Sequence, residues 1–468
     1  MKRATSPPEL VIPLTSKADA PLRLQLERGL RHAVQTGRLP AGALLPSTRV
    51  LAGDFGISRG VVLEAYEQLI AEGYLIARRG SATRVGARGA ERRSASATDS
   101  ISKAVYRYDL RPGVPDISLF PRRAWLISMR RADGAAAHSA FDYPDPRGAE
   151  SARAGLSAYL NRTRATVTRS DHMLLCTGFA QGIRLVCQVL RERGVRRIAV
   201  EDPGAIDQCA DIDAEGLEKV RVPVDNDGLR TDLLRETHAG AVLVTPAHQY
   251  PTGAVLAPHR RAALLDWASQ RRAVIIEDDY DAEYRYDREP IGSLQGLAPD
   301  HVIYMGTASK TLSPALRLAW LALPPDFIED VARAKLQADR GSPALDQLAL
   351  ADFLDRGELD RHLRKSRLIY RRRRDMLVAA LGTHLPHLRP RGVAAGLHLM
   401  IELGRGADEQ QIVEAAARRS IRLYGASSYR AVRATGPPAL LLGYGALEEN
   451  AVEEAVRHLA SLLQKHSL

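Results

Sequence analysis

Between Pro21 and Gly37 the apolar residues Leu22, Leu26, Leu30, Ala33 and Val34 recur three and four positions apart. That spacing places them on one side of a helix, so the segment reads as an amphipathic helix. RLPAGALLP then interrupts the pattern with two prolines and a glycine. Ser47 is placed to cap a second helix, TRVLAGDF, which Gly56 ends. Ser58 is placed to cap a third, RGVVLEAYEQLIAEG, which Gly73 stops. Val62, Tyr66, Leu69 and Ile70 share one face of the third helix. YLIA and TRV then flank Arg78-Arg79-Gly80-Ser81 as a short hairpin. Three helices and a hairpin in this order describe a winged helix-turn-helix over residues 1–85.

Residues 86–108, GARGAERRSASATDSISKAVYRY, lose the apolar period and read as a mobile linker. From residue 109 to 468 the pattern changes again. Short apolar runs end in polar turns at MLLCTG (173–178), RIAVEDPG (197–204), AVLVTPAHQYPTG (241–253), AVIIEDDY (273–280) and HVIYMGTASK (301–310). Helical segments separate them, RRAALLDWASQRR from Arg260 to Arg272 among them. Alternating strands and helices imply an α/β body: a mostly parallel sheet with helices on both faces. Ligands of such sheets sit at the carboxyl ends of the strands, where all these polar turns fall.

The length of 468 residues is too great for one ordinary domain. The net charge of +11 is unevenly placed: residues 1–107 hold 17 Lys/Arg against 9 Asp/Glu, and the rest of the chain carries only +3. A small basic domain on a large near-neutral one suggests a nucleic-acid partner for the small part, with a solvated basic surface as the alternative. Cys176, Cys187 and Cys209 have no metal spacing and form no even set, so they read as reduced thiols. The start MKRATSPPEL lacks the apolar core of a signal peptide, and no run reaches membrane-span length. The expected compartment is the cytoplasm.

In a winged helix-turn-helix the third helix meets base edges with its N-terminal residues, here Ser58, Arg59 and Gly60. Arg49 is placed to grip phosphate, and Arg79-Gly80 would form the wing tip. Each arginine alone reads as a surface charge; their clustering at the cap and wing tip favours DNA. In the body, Lys310 follows a strand and the hydroxyls of Thr307 and Ser309, with Arg317 seven residues on. An amine in such a turn suits a Schiff base with an aldehyde cofactor, and hydroxyls plus guanidinium suit its phosphate. On these residues alone, a surface lysine in a Ser/Thr loop is the favoured reading, and partners elsewhere must decide. Gly178, Phe179 and Ala180 open a helix whose amides can hold an anion, or form an ordinary cap. Asp278 follows an apolar strand, where an unpaired carboxylate is costly. A pyridinium nitrogen would satisfy it, and so would an arginine. Tyr280 suits a ring oxygen or the core.

RLPAGALLPSTRVLAGDFGISRGVVLEAYEQLIAEGYL closely resembles the DNA-binding domain of GntR-type bacterial regulators. The resemblance implies operator contacts at Arg49, Ser58, Arg59, Arg79 and Gly80. The helix carries Glu64 where some relatives are basic. From residue 10 to about 460 the chain resembles MocR-type regulators, which fuse a GntR-like head to a fold-type-I aminotransferase-like body. The motifs are RPGVPDISLFP (111–121), YPDPRG (143–148), CTGFAQG (176–182), VEDPG (200–204), TPAHQYPTG (245–253), IEDDYDAEYRY (276–286) and GTASKTLSPALRLAW (306–320). The resemblance implies pyridoxal 5′-phosphate on Lys310, with Asp278 at the pyridine nitrogen and Tyr280 at the phenolate oxygen. It places Gly178, Phe179, Ala180, Thr307, Ser309 and Arg317 around the phosphate. Tyr143 resembles a tyrosine donated by the neighbouring subunit, which implies a homodimer.

Three positions depart from the relatives. Ala205 stands where a ring-stacking tyrosine is usual. Leu441, in Leu441-Leu442-Gly443-Tyr444, stands where an arginine usually binds a substrate carboxylate, with Arg430 and Arg433 as candidate substitutes. Tyr250 replaces a frequent asparagine. The resulting expectation is a dimeric regulator that binds operator DNA and senses pyridoxal phosphate, or a small amine or amino acid that reacts with it. Efficient transamination of common α-amino acids is not expected. The rival is a working aminotransferase with an accessory head, which multiple turnovers on amino donors and keto acids would reveal. A third reading, a body used only for dimerisation, predicts no chromophore.

Overall fold

The structure, a computed structural model, describes residues 12–14, 20–77, 82–86, 106–287, 291–404, 406–432 and 436–466 in two units, Met1–Ala104 and Val105–Leu468. In the first unit three helices span Leu22–Gln35, Thr48–Phe55 and Arg59–Ala71. Ser47 and Ser58 accept the Val50 and Val61 amides, so both serines cap as their positions predict. Gly56 ends the second helix at φ 61°, a left-handed conformation that favours glycine. The apolar faces meet in a core of Leu26, Leu30, Leu45, Leu51, Val62, Leu69, Leu75 and Val85. The strands Leu75–Ile76 and Arg84–Val85 pair antiparallel; residues 78–81 between them lie outside the described residues.

The body begins before residue 109. Tyr108–Asp109 pairs in parallel with Ile421–Arg422, and Arg107 bridges Glu454. Residues 106–108, assigned from sequence to the linker, therefore belong to the body; 87–105 lie outside the described residues.

The central sheet has eight strands in the order Met173–Cys176, Ala319–Ala322, Val302–Thr307, Val274–Asp279, Ala241–Val244, Arg197–Asp202, Glu218–Asp225 and Gly228–Leu229. The five from Val302–Thr307 to Glu218–Asp225 run parallel. Ala319–Ala322 is antiparallel to both neighbours. Alternate residues of one strand feed opposite faces: Ile276 joins the cluster around Ile183, Val186 and Leu190, while Ile275 joins that of Leu264 and Trp267. This is the expected sheet with helices on both faces. The pattern leaves three members unmarked, the two-residue Gly228–Leu229 among them. Glu218–Asp225 is half-exposed and charged, and Ala319–Ala322 hides at the end of a motif.

A second, antiparallel sheet combines Pro390–Arg391, His398–Glu402, Ala439–Gly443 and Tyr424–Gly425. Among the described residues no helix is long and apolar enough to cross a membrane.

Candidate functional site

Strand Val274–Asp279 buries three consecutive carboxylates, Glu277, Asp278 and Asp279. Such groups are tolerated only when paired or neutralised. Glu277 accepts the Leu294 and Gln295 amides at 2.9 and 3.0 Å. Asp279 takes Arg164 at 2.6 and 3.1 Å and the Tyr304 hydroxyl at 2.6 Å. The arginine partner that sequence offered to Asp278 thus belongs to its neighbour, because successive strand residues face opposite sides. Asp278 receives the Gln208 amide at 2.5 Å. Burial pushes its pKa up to about 8, against the pull of that amide. It is a buried acid with no cation bonded to it among the described residues.

Lys310 lies beyond the next strand, Val302–Thr307, whose Met305 is in register with Asp278. Its amine makes no hydrogen bond or ion pair among the described residues. Burial draws its pKa below the ordinary lysine range, opposed by the charges of Asp281 and Asp278. The RPGVPD segment comes over it: a Cβ on Gly113 would lie 3.9 Å from Lys310 Nζ.

Gly178 precedes helix Phe179–Glu192 without any side-chain cap, leaving first-turn amides open to an anion. A Cβ on Gly178 would sit 2.4 Å from Arg317 Nη2, so the guanidinium lies directly over this backbone. Gly178 has φ 139° and Arg317 φ 52°. The Thr307 hydroxyl bonds that of Ser309 at 3.0 Å and accepts the Ser309 amide. Phe179 packs into the apolar cluster beneath the helix, and Ala180 is exposed. Tyr143 is 86% exposed.

Tyr280 bonds the ring nitrogen and the carbonyl of His248, both at 3.1 Å. Burial, then Asp281, raises its pKa well above the ordinary phenol range. Tyr250 packs edge-on against Tyr280, His398 and Tyr429. His248, Asp281, Gln208, His398 and Tyr429 were not singled out in the sequence. For His248 the available signal was its place inside TPAHQYPTG.

Ala205 is the N-cap of helix Ile206–Ala214 and, with Glu201, Gln208 and Tyr250, lines a small cavity. Leu441 is fully buried, in register with Met400 and Tyr424 and clustered with Tyr429. An apolar cluster thus fills the position of the usual carboxylate anchor. Arg430 donates to the Pro437 carbonyl at 2.7 Å; Arg433 lies outside the described residues.

In the head, Arg49, Ser58, Arg59 and Gly60 are all exposed at the starts of the second and third helices. Arg59 Nε is 3.4 Å from Thr48 Oγ1, and Glu64 lies 3.6 Å from Arg23. Arg79 and Gly80 lie outside the described residues.

An eight-stranded, mostly parallel sheet with a lysine, an aspartate and an anion cup at its strand ends defines a fold-type-I aminotransferase-like body, carried with a winged helix-turn-helix head. The aminotransferase class I and II family matches residues 121–459, and the gntR family of bacterial regulatory proteins matches residues 22–85. The uncharacterized HTH-type transcriptional regulator YdeL of Bacillus subtilis is 32% identical over 95% of this chain and 97% of its own. The HTH-type pyridoxine biosynthesis transcriptional regulator PdxR of Corynebacterium glutamicum is 32% identical over 94% and 96%. A Pyrococcus horikoshii kynurenine aminotransferase shares the body's fold, with TM-score 0.71 and 22% identity over 78% of this chain and 92% of that one. The chain belongs to the MocR-type regulators: a GntR-family DNA-binding head with an aminotransferase-like body.

One test isolates Asp278. Its folded pKa of about 8 lies above the ordinary carboxylate value, so the folded apoprotein binds the extra proton more tightly than the unfolded chain. Stability from this group is present at acid pH and lost as pH rises toward 8. Asp278→Asn removes that loss, so the apoprotein at pH 8 becomes more stable to urea than the parent. A variant no more stable than the parent at pH 8 would show that Asp278 ionises inside the protein at no cost to the fold.

Proposed function

We propose that this regulator binds pyridoxal 5′-phosphate at Lys310 and works as a dimer that senses the cofactor itself or a small amine reacting with it. The observation that carries this reading is the combination of an uncommitted amine at Lys310, a buried acid without a bonded cation at Asp278, and the Gly178–Arg317 cup. The donor set fits the cofactor. Lys310 would hold its aldehyde carbon, Asp278 its ring nitrogen and Tyr280 its phenolate oxygen. Thr307, Ser309, Arg317 and the amides of Gly178, Phe179 and Ala180 would hold its phosphate. When bound, the cofactor supplies an electron sink and a carbonyl that captures amines. The exposed Tyr143 would complete the phosphate site of the neighbouring subunit. The apolar filling around Leu441 favours a ligand held without an α-carboxylate clamp. Ligand binding would act by differential affinity for two arrangements of the dimer.

The test is direct. Purified protein is stripped of cofactor, titrated with pyridoxal phosphate and followed by absorbance, by mass under native conditions, and by binding to DNA from upstream of its own gene. A saturable colour change, a dimer, and an altered DNA affinity are expected. Absence of any absorbance change would end the cofactor reading.

The head is tested separately. Arg59→Ala is expected to lose about 1–3 kcal/mol of discrimination between operator and random DNA, the value of a bidentate base contact. Arg49→Ala is expected to weaken both DNAs and lower the salt slope, as loss of a phosphate contact does. Equal losses on both DNAs for Arg59→Ala would reassign it to phosphate.

A further inference from the structure

His248 has no role in the cofactor reading above, yet it is one of the most tightly enclosed polar groups near Lys310. It follows strand Ala241–Val244, and both it and Asp281 are almost fully buried. Its Nδ1 lies 3.0 and 3.2 Å from the two Asp281 oxygens and 3.1 Å from the Tyr280 hydroxyl. The same hydroxyl lies 3.1 Å from the His248 carbonyl. The imidazole and phenol rings are stacked, 29° apart. Gly396, at φ 70°, makes the arrangement possible: a Cβ there would lie 2.2 Å from His248 Cε1 and 2.5 Å from Asp281 Oδ2.

Hydrogen-bond accounting fixes the protons. An ionised carboxylate only accepts, so the nitrogen facing Asp281 must be Nδ1–H. The Tyr280 proton is then left for the His248 carbonyl or for a ligand oxygen, while Tyr280 Oη, 3.1 Å from the same nitrogen, shares the single Nδ1–H with Asp281 as the second acceptor of a three-centre bond. A phenol that accepts such a bond is a stronger donor, because linked hydrogen bonds polarise one another. His398 stacks beyond, its ring centroid 5.3 Å from that of His248. Burial, then His248, pushes its pKa down to about 3, so it adds no charge. The other titratable groups facing the phenol are Asp278, Glu201 and Tyr250, with Lys310 beside Asp278 and Asp281.

We propose that His248, clamped by Asp281, is a positioning residue that aims the Tyr280 hydroxyl, as a strengthened donor, at the phenolate oxygen of the bound cofactor. This rests on the cofactor reading and acts only through Tyr280.

The test uses full-length protein loaded with pyridoxal phosphate and records the pH midpoint of the cofactor's absorbance change. A donor at the ring oxygen favours the deprotonated form, so weakening it raises the midpoint. His248→Phe keeps a ring and removes Nδ1; it is expected to raise the midpoint by about 0.5–1 pH unit, the worth of one ordinary hydrogen bond. Tyr280→Phe moves it the same way, and the double variant moves no further. His248→Asn, whose amide takes the place of Nδ1–H, stays close to the parent. A mere space-filling role predicts the reverse, with the void left by asparagine perturbing more than phenylalanine. An unmoved midpoint in His248→Phe, or a shift that adds in full to that of Tyr280→Phe, overturns the inference. If His248→Phe does not fold, His248→Met, which also lacks the donor, carries the same expectation. A colourless parent would sink the cofactor reading and this inference together; a coloured parent with unmoved variants sinks this inference alone.

Discussion

Lys310→Ala gives a protein that folds and stays colourless with pyridoxal phosphate. The amine it removes is partly buried but bonded to nothing among the described residues, so its loss strands no partner. Borohydride reduction of the loaded parent should tag one peptide, that containing Lys310, and reduction of the variant should tag none. Among the described residues Lys335 is the one fully buried lysine, and it is committed to Asp339 at 2.6 Å and Ser342 at 2.9 Å. A tag on Lys335, or one that survives in Lys310→Ala, would refute the assignment. The variant's melting temperature should lie close to that of the apo parent, which separates loss of attachment from loss of fold.

Arg164→Ala is expected to cost the body about 3–5 kcal/mol in urea unfolding. Arg164 and Asp279 are each almost completely buried and joined by two hydrogen bonds. Truncating the arginine leaves the aspartate inside the protein with only the Tyr304 hydroxyl, beside two further buried acids. The cost therefore reflects a stranded charge rather than the net worth of the pair. Arg162 is the control. It bridges Asp360 at a similar 2.8 Å, but its side chain is 59% exposed. Water solvates both partners there, so Arg162→Ala should cost about 0–1 kcal/mol. A loss below about 1 kcal/mol for Arg164→Ala would mean that water or rearrangement rescues Asp279.

These two residues also mark how far the sequence could be read. Lys310 drew notice because it sits in a dense local motif at the end of an apolar run, and the five apolar runs that became strands, four of them neighbours in the parallel part of the sheet, were legible for the same reason. Arg164 was not, since nothing local ties it to an aspartate 115 residues away. Asp278 stood out in the sequence as a carboxylate at the end of an apolar strand, but the arginine weighed as its partner pairs with Asp279, a distinction set by which side of the strand each faces. His248 was not singled out within its motif; the role proposed for it depends on Asp281 and on the clearance at Gly396, both remote in the chain. Glu218–Asp225 was passed over because its pattern is that of a solvated edge. The head was read almost whole, since caps, glycine stops and helical spacing are all local signals.

The two-residue pairing of Tyr108–Asp109 with Ile421–Arg422 has a mechanical consequence. The chain leaving the head enters the body at this point, so tension along the tether reaches the C-terminal third of the body before it reaches the strands that carry Lys310. The junction is a two-residue parallel ladder and the Arg107–Glu454 bridge, with Tyr108 buried in the same core as Ile421 and Val456. Freeing it would therefore uncover apolar surface of the C-terminal segment, while the strands on either side of Asp278 keep their own ladders.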